Sequence, residues 1–331
     1  MTTKALVTGA TGFLGRHAAL RLAQMGWDVS GMGRSRESGA QLTRDGIRFV
    51  QADMRDADRV VQACAGQDYV FHCAALSSPW GDYREFYGSN VLATRHIIEG
   101  CRKHEVKRLI HISTPSIYFN YRPRFLIRES EPLPARSANA YAATKLLAER
   151  EVMQASREGL PVLILRPRAI FGPLDRTLFP RLLQANGKLG VPMLGGGQAR
   201  IDLTYVDNVV DAMLLGCSAA PAALGQAYNI SNGEPLPFRE VVEKLFAMLD
   251  IPLRTRSIPY RAAYGIAGLL ELAYRVLPLR GEPLLTRYTA GSVAIPHTLD
   301  ITLAREQLGY KPSVSVWDGL QRFADWWVTQ A

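Results

Sequence analysis

The chain has 331 residues, enough for about two domains of ordinary size. Its hydrophobic share of 47% and charged share of 21% are those of a globular protein and exclude disordered, fibrous and multi-span membrane proteins. The net charge of +9 suits an anionic small molecule, an anionic membrane surface or nucleic acid as partner. Because the basic residues form no long run and no DNA-binding motif is present, no nucleic-acid partner is expected.

The four cysteines are scattered along the sequence without a CxxC pair. This spacing argues against a disulfide framework and against a zinc site, and it is typical of a cytoplasmic protein. The sequence contains no visible signal peptide and no run of 18 apolar residues. We therefore expect a cytoplasmic protein with no metal site and no membrane span.

The first half of the chain alternates short apolar runs with segments of helical spacing. Strands are predicted at 4–8, 27–32, 47–51, 69–73, 109–113 and 161–165, and helices at 12–25, 57–65, 86–104 and 138–156. Continuous apolar strands that alternate with helices are typical of parallel sheets covered on both faces. The pattern predicts an α/β fold, a Rossmann-type doubly wound parallel sheet.

After Arg166 the alternation ends, and proline and glycine become frequent. Further elements are predicted at 206–215, 228–230, 238–249, 260–277 and 316–328. We predict a dinucleotide-binding Rossmann domain of residues 1–166 with a return segment at 204–232. A smaller, interleaved C-terminal substrate domain would comprise residues 167–203 and 233–331.

A glycine-rich loop connects the first predicted strand to the first predicted helix. Gly9, Gly12 and Gly15 form a GxxGxxG pattern there. Glycines let the backbone approach a pyrophosphate closely, and the free N–H groups of the helix N-terminus bind its phosphates. The loop therefore predicts a dinucleotide site, which also includes Thr11, Phe13 and Leu14.

The end of the second predicted strand indicates which dinucleotide binds. An acidic residue is usual about 20 residues after the glycines, where it bonds the adenosine ribose, but residues 29–36 contain none. Arg34 and Ser35 occupy this place instead. A cation suits a 2′-phosphate, so we predict NADP(H) in preference to NAD(H). The alternative is that Arg34 is a solvated surface cation.

Tyr141 and Lys145 lie four residues apart on a predicted helix, so their side chains share one face. An ammonium group near a phenol favours the phenolate, so we expect the pKa of Tyr141 to be lowered. A YxxxK match can arise by chance in a chain of this composition, so the match alone is weak evidence. Its place on the helix after the fifth strand makes this one significant.

These motifs, together with Ser-Thr-Pro-Ser-Ile-Tyr at 113–118, resemble the extended branch of the short-chain dehydrogenase/reductase superfamily, over nearly the whole chain. The resemblance implies that Thr114 and Tyr141 hold the substrate oxygen while Tyr141 exchanges a proton with it. Lys145 would bond the nicotinamide ribose, and Asn90 would order a water and proton relay. Thr114 and Asn90 have structural alternatives, as a strand-end hydroxyl and a satisfied core amide.

The resemblance assigns further contacts. Asp53 would contact the adenine, and residues 72–75 would pass beside the cofactor. The remaining predicted cofactor contacts are Met54, Cys73, Ala74, Ala75, Pro167, Ala169 and Ile170. The predicted substrate contacts are Ser77, Ser113, Pro115 and Ser116, with Arg168, Arg176 and Arg200 as partners for a carboxylate or, alternatively, as surface cations.

The second half of the chain bears on the substrate. Ile201 stands where sugar-nucleotide enzymes of this branch usually carry arginine, and Asp-Leu-Thr-Tyr-Val-Asp-Asn-Val at 202–209 is similar to the 3β-hydroxysteroid dehydrogenase branch. The order of the later motifs, at 227–235, 258–277, 283–287 and 308–312, most resembles bacterial 2-alkyl-3-oxoalkanoate reductases. This implies NAD(P)H-dependent reduction of a hydrophobic, acidic 3-oxo substrate to the 3-hydroxy acid. The alternatives are a 3β-hydroxysteroid dehydrogenase, a nucleotide-sugar epimerase or dehydratase, and a non-catalytic NADP(H)-binding sensor.

Two further surfaces are predicted. The apolar stretch 258–277 would line a substrate pocket, make peripheral contact with a membrane or form a buried helix of the smaller domain. Relatives of this branch dimerise through their long helices, here 86–104 and 138–156, so the resemblance implies a homodimer.

Overall fold

The structure is a computed structural model that describes residues 2–277, 279 and 281–330; the predicted domain ends at residues 1 and 331 lie outside this range. The first elements in chain order are β1 (Lys4–Thr8), α1 (Phe13–Gln24), β2 (Asp28–Gly33), α2 (Arg36–Arg44), β3 (Arg48–Gln51), α3 (Ala57–Ala63), β4 (Tyr69–His72) and α4 (Tyr83–Phe86). A π-helical stretch (Tyr87–Leu92), α5 (Ala93–Lys103), β5 (Arg108–Ile112), a 3-10 turn (Pro115–Tyr118), β6 (Arg124–Ile127), α6 (Ala140–Arg157) and β7 (Val162–Pro167) follow.

The second half contains more and shorter elements. They are β8 (Ile170–Phe171), α7 (Phe179–Lys188), β9 (Val191–Leu194), β10 (Arg200–Ile201), β11 (Thr204–Tyr205), α8 (Val206–Ser218), β12 (Ala227–Ile230), β13 (Leu236–Pro237), α9 (Phe238–Met248), β14 (Thr255–Ile258), α10 (Tyr260–Val276), α11 (Arg287–Ala294), β15 (His297–Leu299), α12 (Thr302–Leu308) and α13 (Val316–Val328).

The central sheet has seven parallel strands in the order β12-β7-β5-β4-β1-β2-β3. Its inner strands are buried on both faces, and all six residues of β7 are buried. The chain passes to opposite sides of β1 at β2 and β4, which creates the switch point where ligands bind in open α/β sheets. The predicted Rossmann-type α/β fold is confirmed.

Two apolar layers cover this sheet. On one face α1 and α8 pack together, with Leu22 and Val209 in the core. On the other face α3, α5 and α6 pack, with Val60, Ile97 and Val152 in a second cluster. Burial on both faces holds the carboxyl ends of the strands, and the loops that follow them, in fixed positions.

Smaller sheets extend beyond the central one. A four-stranded sheet has the order β13-β10-β15-β6, and two-stranded pairs join β11 to β8 and β14 to β9. The sequence pattern did not predict β6, which comes from the first half of the chain yet pairs with β15 near the other end. Such a pairing depends on distant residues, and local periodicity contains no signal for it.

The helix predicted at 86–104 is interrupted. The structure has α4, then the π-helical stretch Tyr87–Leu92, then α5. Asn90 lies inside that stretch, and its side-chain bonds bring it to neighbouring segments of the fold. The widened turn is therefore associated with a functional position, as single π-helical turns often are.

The apolar stretch predicted at 260–277 forms α10. Ala263, Ala267 and Glu271 are buried along one side, whereas Leu269 and Leu272 are exposed. Across residues 2–277, 279 and 281–330, no helix combines the length and the apolar character that crossing a membrane requires.

Candidate active site

A cavity of about 330 Å³ lies at the switch point, where the loops after β1 and β4 meet the ends of β2 and β3. Twelve of the predicted cofactor residues line it: Gly9, Thr11, Gly12, Phe13, Leu14, Gly15, Arg34, Asp53, Met54, Cys73, Ala74 and Ala75. The structure thus brings four separate segments of the sequence to one site.

The glycine loop packs tightly against the chain on both sides. Gly9 has a φ of +68°, and a Cβ there would lie 2.9 Å from the backbone of Ala74. A Cβ at Gly15 would lie 2.3 Å from the carbonyl oxygen of Gly9. Gly12 is the N-cap of α1, so the free N–H groups of the first helical turn face the cavity. These residues fit a pyrophosphate.

The outer end of the cavity carries charged side chains. Asp53 accepts hydrogen bonds from the Arg55 guanidinium at 2.7 and 3.0 Å, and these bonds lower the pKa of the carboxyl to about 2. Arg34 is exposed and close enough to Asp53 to lower that pKa further. Ser35 lies beyond the described cavity lining: its hydroxyl caps α2 by accepting a bond from the N–H of Ser38 at 3.2 Å.

The catalytic end of the site is built around Tyr141, in the first turn of α6. The hydroxyls of Thr114 and Ser77 lie beside its phenol. Burial raises the pKa of Tyr141, and the two hydroxyls oppose that shift. Because burial prevails, the expectation of a lowered pKa is wrong for this arrangement, and the phenol is neutral at pH 7.

Thr114 begins a chain of hydroxyl groups. Its Oγ1 donates to Ser116 Oγ at 3.0 Å, and Ser116 Oγ is 2.6 Å from the hydroxyl of Tyr288. Thr114 also caps the 3-10 turn through the N–H of Ser116, while Pro115 is buried in that turn. Tyr288 is a site residue that the sequence analysis missed, since it lies on α11, far along the chain from the motifs.

Lys145 is buried one helical turn after Tyr141. Its ammonium donates to the carbonyl oxygen of Ile112 at 2.6 Å and lies 3.4 Å from Nε2 of His111. Burial lowers its pKa to about 8, which Glu149 and Cys73 partly offset. Since Cys73 lines the cofactor cavity, the ammonium lies at the boundary between that cavity and β5.

The side chain of Asn90 forms hydrogen bonds with the backbone of the cavity wall. Its Oδ1 accepts a bond from the N–H of Leu76 at 2.7 Å, and its Nδ2 donates to the Leu76 carbonyl at 3.2 Å and to Thr144 Oγ1 at 3.0 Å. Leu76 lines the cavity, and Thr144 precedes Lys145. These contacts make Asn90 a positioning residue; the relay role implied by the resemblance stays a prediction.

Ser113 has a structural role, in contrast to its predicted substrate contact. Its hydroxyl donates to Glu149 Oε2 at 2.6 Å, and Arg166 bonds both oxygens of the same carboxylate. All three side chains are buried. Since Glu149 needs these partners to remain buried as an ion, Ser113 is committed to the protein core.

The remaining predicted residues are spread around the end of β7. Arg168 is buried, whereas Arg176 and Arg200 are exposed and Arg200 donates to the carbonyl of Pro235 at 2.6 Å. Besides Ser35, five predicted cofactor residues lie outside the described cavity lining, and their cofactor contacts stay predictions: Tyr141, Lys145, Pro167, Ala169 and Ile170. Of these, Pro167 ends β7, Ala169 has a φ of +43°, and Ile170 begins β8.

Five lining residues were absent from the prediction: Met32, Gly33, Ala52, Leu76 and Ser89. Gly33, Ala52 and Leu76 directly adjoin predicted cofactor residues, and Met32 precedes Gly33 in β2, so the ends of the strands could have indicated these four. A Cβ at Gly33 would lie 2.5 Å from Thr11 Oγ1, which explains the glycine there. Ser89 comes from the π-helical stretch and directly precedes the predicted site residue Asn90.

The fold and this geometry together define the class of the protein, a nicotinamide-dinucleotide-dependent oxidoreductase of the extended short-chain dehydrogenase/reductase type. Residues 5–231 match the model of the NAD dependent epimerase/dehydratase family. The chain belongs to that family.

Curated relatives cover almost the whole chain. A 2-alkyl-3-oxoalkanoate reductase of Stenotrophomonas maltophilia is 38% identical over 96% of this chain and 98% of its own. One from Shewanella oneidensis is 35% identical over 96% of this chain and 84% of its own. A sterol-4-alpha-carboxylate 3-dehydrogenase, decarboxylating, of Mus musculus is 31% identical over 96% and 89%.

Solved structures match the fold. The UDP-glucuronic acid 4-epimerase of Bacillus cereus in complex with NAD has a TM-score of 0.78 at 23% identity, covering 98% of this chain and 96% of its own. DesIV, a dTDP-glucose 4,6-dehydratase of Streptomyces venezuelae with NAD bound, has a TM-score of 0.78 at 25% identity, covering 99% and 97%. The predicted resemblance to the extended branch and its 3β-hydroxysteroid dehydrogenase-like members is confirmed.

Proposed function

We propose that this protein reduces the 3-oxo group of a 2-alkyl-3-oxoalkanoate to a hydroxyl group, with NADPH as the reductant. The observation that carries the proposal is the placement of the Tyr141 phenol beside the hydroxyls of Thr114 and Ser77, on the same helix as Lys145, whose ammonium lies near the cavity-lining Cys73. These groups suit a carbonyl oxygen that gains a proton.

Reduction requires Tyr141 in its protonated form. Burial raises its pKa, so the phenol carries its proton at pH 7 and acts as the acid. The hydride for the carbonyl carbon comes from the reduced nicotinamide dinucleotide when it is bound. The Tyr141 hydroxyl gives its proton to the oxygen of the same carbonyl, while Thr114 orients that oxygen, so that one hydride and one proton convert the ketone into the alcohol.

The ammonium of Lys145 would assist this proton transfer. It is held by the Ile112 carbonyl, near Cys73 of the cofactor cavity. From this position it would bond a ribose hydroxyl and stabilise the Tyr141 phenolate that forms when the proton leaves. The tight contacts of Gly9 and Gly15 and the free N–H groups of α1 would hold the pyrophosphate.

The relatives support the substrate class. Two are named for a 2-alkyl-3-oxoalkanoate, and the third for a reaction at carbon 3 of a sterol 4-carboxylate. In both kinds of molecule the carboxyl carbon is two bonds from the reacting carbon. Ile201 offers no cation to a sugar-linked phosphate, because it is an apolar residue in β10 that pairs with Leu236 and His297.

Arg34 supports NADP(H) over NAD(H). It lines the cavity at the end of β2, where an acid that bonds the 2′-hydroxyl of NAD would otherwise be expected. Asp53 lies near Arg34, but its carboxylate is already engaged by Arg55. A 2′-phosphate would therefore meet a free-standing guanidinium at this end of the cavity.

The test is oxidation of NADPH and of NADH by the purified protein, followed by absorbance. The substrates are freshly prepared 2-alkyl-3-oxoalkanoates of several chain lengths, a 3-oxo-steroid and UDP-sugars. We expect turnover with the β-keto acids, faster with NADPH. Turnover with UDP-sugars alone would overturn the proposal, and turnover with the steroid alone would favour the hydroxysteroid dehydrogenase alternative.

A further inference from the structure

A buried polar cluster lies behind the catalytic end of the site. Arg168, directly after β7, is 8% exposed, Asp202 is 1% exposed, and His297 on β15 is fully buried. Within the described part of the chain, Nε of Arg168, Oδ1 of Asp202 and both ring nitrogens of His297 have no hydrogen-bond partner. Buried polar groups are almost always paired, so this concentration calls for an explanation.

The neighbours leave the guanidinium of Arg168 incompletely compensated. His297 adds no compensating charge and no hydrogen bond: burial and the charges of Arg168 and Arg124 lower the pKa of its ring to about 2, and neither ring nitrogen has a partner among the described residues. Asp202 lies near Arg168 but is not hydrogen-bonded to it: among the described residues Arg168 Nε and Asp202 Oδ1 have no partner, and Asp202 Oδ2 accepts the N–H of Leu299 at 2.6 Å. A buried cation in such surroundings is unfavourable unless an anion joins it.

Tyr288 connects this cluster to the catalytic groups. Its hydroxyl is 2.6 Å from Ser116 Oγ, which is 3.0 Å from Thr114 Oγ1. The same phenol lies close enough to Tyr141 and to Arg168 to affect the ionisation of both. Tyr288 is thus a neighbour both of the group that would protonate the ketone and of the Arg168 guanidinium, whose Nε has no partner among the described residues.

We propose that Arg168 and Tyr288 form the carboxylate subsite of this enzyme and select β-keto and β-hydroxy acids over neutral ketones and alcohols. The inference rests on the proposed function and adds to it a specificity-determining pair. A guanidinium fork matches a carboxylate, and the phenol adds a second donor. The carboxyl carbon is two bonds from the reacting carbon. The residue that binds the carbonyl oxygen, Tyr141, and the residue that binds the carboxylate, Tyr288, must therefore be close neighbours, as they are.

The competing interpretation is that Arg168 serves only as the electrostatic partner of Asp202. In that case its loss would lower the stability of the fold and affect all substrates alike. A carboxylate subsite makes a different prediction, because the penalty would depend on whether the ligand carries a negative charge.

The experiment compares a 2-alkyl-3-hydroxyalkanoate with its methyl ester, both oxidised with NADP⁺, since the hydroxy acid does not lose CO₂ in solution as the keto acid does. Arg168→Met should raise KM for the acid by about 10- to 100-fold, with a smaller change in kcat. It should leave KM for the ester within about twofold of the wild-type value. Tyr288→Phe should raise KM for the acid by about 5- to 10-fold. Arg168→Lys should recover part of the loss.

Arg322→Met is the matched control, because it removes an exposed guanidinium on α13 by the same chemical change. It should change KM and kcat for neither the acid nor the ester. An equal loss for acid and ester in Arg168→Met, or no loss for the acid, would overturn the subsite. If Arg168→Met does not fold, the acid-to-ester ratio of Tyr288→Phe and Arg168→Lys decides in the same way.

Calorimetric binding of the hydroxy acid to the NADP⁺-loaded protein separates the two proposals. Binding that is lost in Arg168→Met without any turnover in the wild type would leave the subsite standing and remove the proposed function. Turnover that Arg168→Met leaves intact would remove the subsite and keep the function. Absence of both binding and turnover in the wild type would overturn both.

Discussion

Asn90 and Leu76 are joined by a two-sided clamp, in which the side-chain amide of Asn90 bonds both the N–H and the carbonyl of Leu76. The clamp holds the segment after β4 against the π-helical stretch. Since Leu76 lines the cofactor cavity together with Ala74 and Ala75, the shape of that wall depends on one buried amide.

Asn90→Ala should therefore weaken cofactor binding. Loss of the clamp leaves two backbone groups of Leu76 without partners, and we expect destabilisation of about 1–3 kcal/mol and a rise in the Kd for NADPH. Asn186→Ala is the matched control, because Asn186 clamps the Pro252 carbonyl and the Arg254 N–H away from the cavity. It should lower the melting temperature similarly without changing the Kd, measured by NADPH fluorescence. Equal effects on the Kd would refute the positioning role.

Tyr141→Phe should remove turnover while cofactor binding survives. Only the hydroxyl that donates the proton is lost, so we expect kcat to fall by about 100- to 10,000-fold. NADPH affinity should stay within about twofold, because the phenol contributes little to it. Tyr83→Phe, at an exposed position, controls for the change of residue type. A purified Tyr141→Phe protein that retains wild-type kcat would contradict the assignment.

Arg34→Gln should change the choice of cofactor. Loss of the guanidinium removes the expected partner of the 2′-phosphate, so the Kd for NADPH should rise by about 10- to 100-fold while that for NADH stays nearly constant. Arg44→Gln, at the other end of α2, should leave both values unchanged. An equal rise in the Kd for NADPH and for NADH would mean that Arg34 does not bind the 2′-phosphate.

Loss of the hydroxyl should affect stability at Ser113 and substrate binding at Ser116. Ser113→Ala removes a bond to the buried Glu149 carboxylate, and we expect it to reduce the free energy of unfolding by about 1.5–3 kcal/mol with KM unchanged. Ser116→Ala breaks the chain from Thr114 to Tyr288 and should alter KM more than stability. Denaturant titration and steady-state kinetics measure both quantities. A larger KM change in Ser113→Ala would restore it as a substrate contact.

Acid should destabilise the fold through its buried histidines. Burial lowers the pKa of His72 to about 3 and that of His297 to about 2, so both are neutral in the folded state. In the unfolded chain they bind protons below about pH 6.5, so stability rises with pH across this window and is lost as pH falls. Between pH 7 and pH 5 each histidine should reduce the free energy of unfolding by about 2 kcal/mol.

Urea titration at a series of pH values checks this dependence. His297→Gln should flatten the curve between pH 7 and pH 5 by about the share of one histidine. His17→Gln is the comparison, because His17 is only partly buried and bonds the Pro173 carbonyl. A wild-type curve that is flat down to pH 5 would show that the buried rings charge within the fold.

Local sequence determined much of the cofactor site. The glycines at 9, 12 and 15 are required by backbone contacts within a few residues or with the adjacent loop, and Tyr141 and Lys145 share a helix face by periodicity alone. Both features depend on short-range geometry, which is why they could be predicted. The direction of the Tyr141 pKa could not, since it depends on the burial that the surrounding fold imposes.

What the sequence by itself determined is therefore the fold class, the glycine loop and the catalytic pair, because each follows from regular periodicity or from steric limits on a short segment. Only the tertiary structure decided that Ser113 bonds Glu149, that Asn90 holds Leu76, and that Tyr288 is near both Tyr141 and Arg168. These pairings join residues far apart in the chain. Ser113 follows β5 and meets Glu149 on α6, Asn90 of the π-helical stretch meets the segment after β4, and Tyr288 comes from α11. Each contact depends on how separate elements pack, and no local pattern encodes that packing.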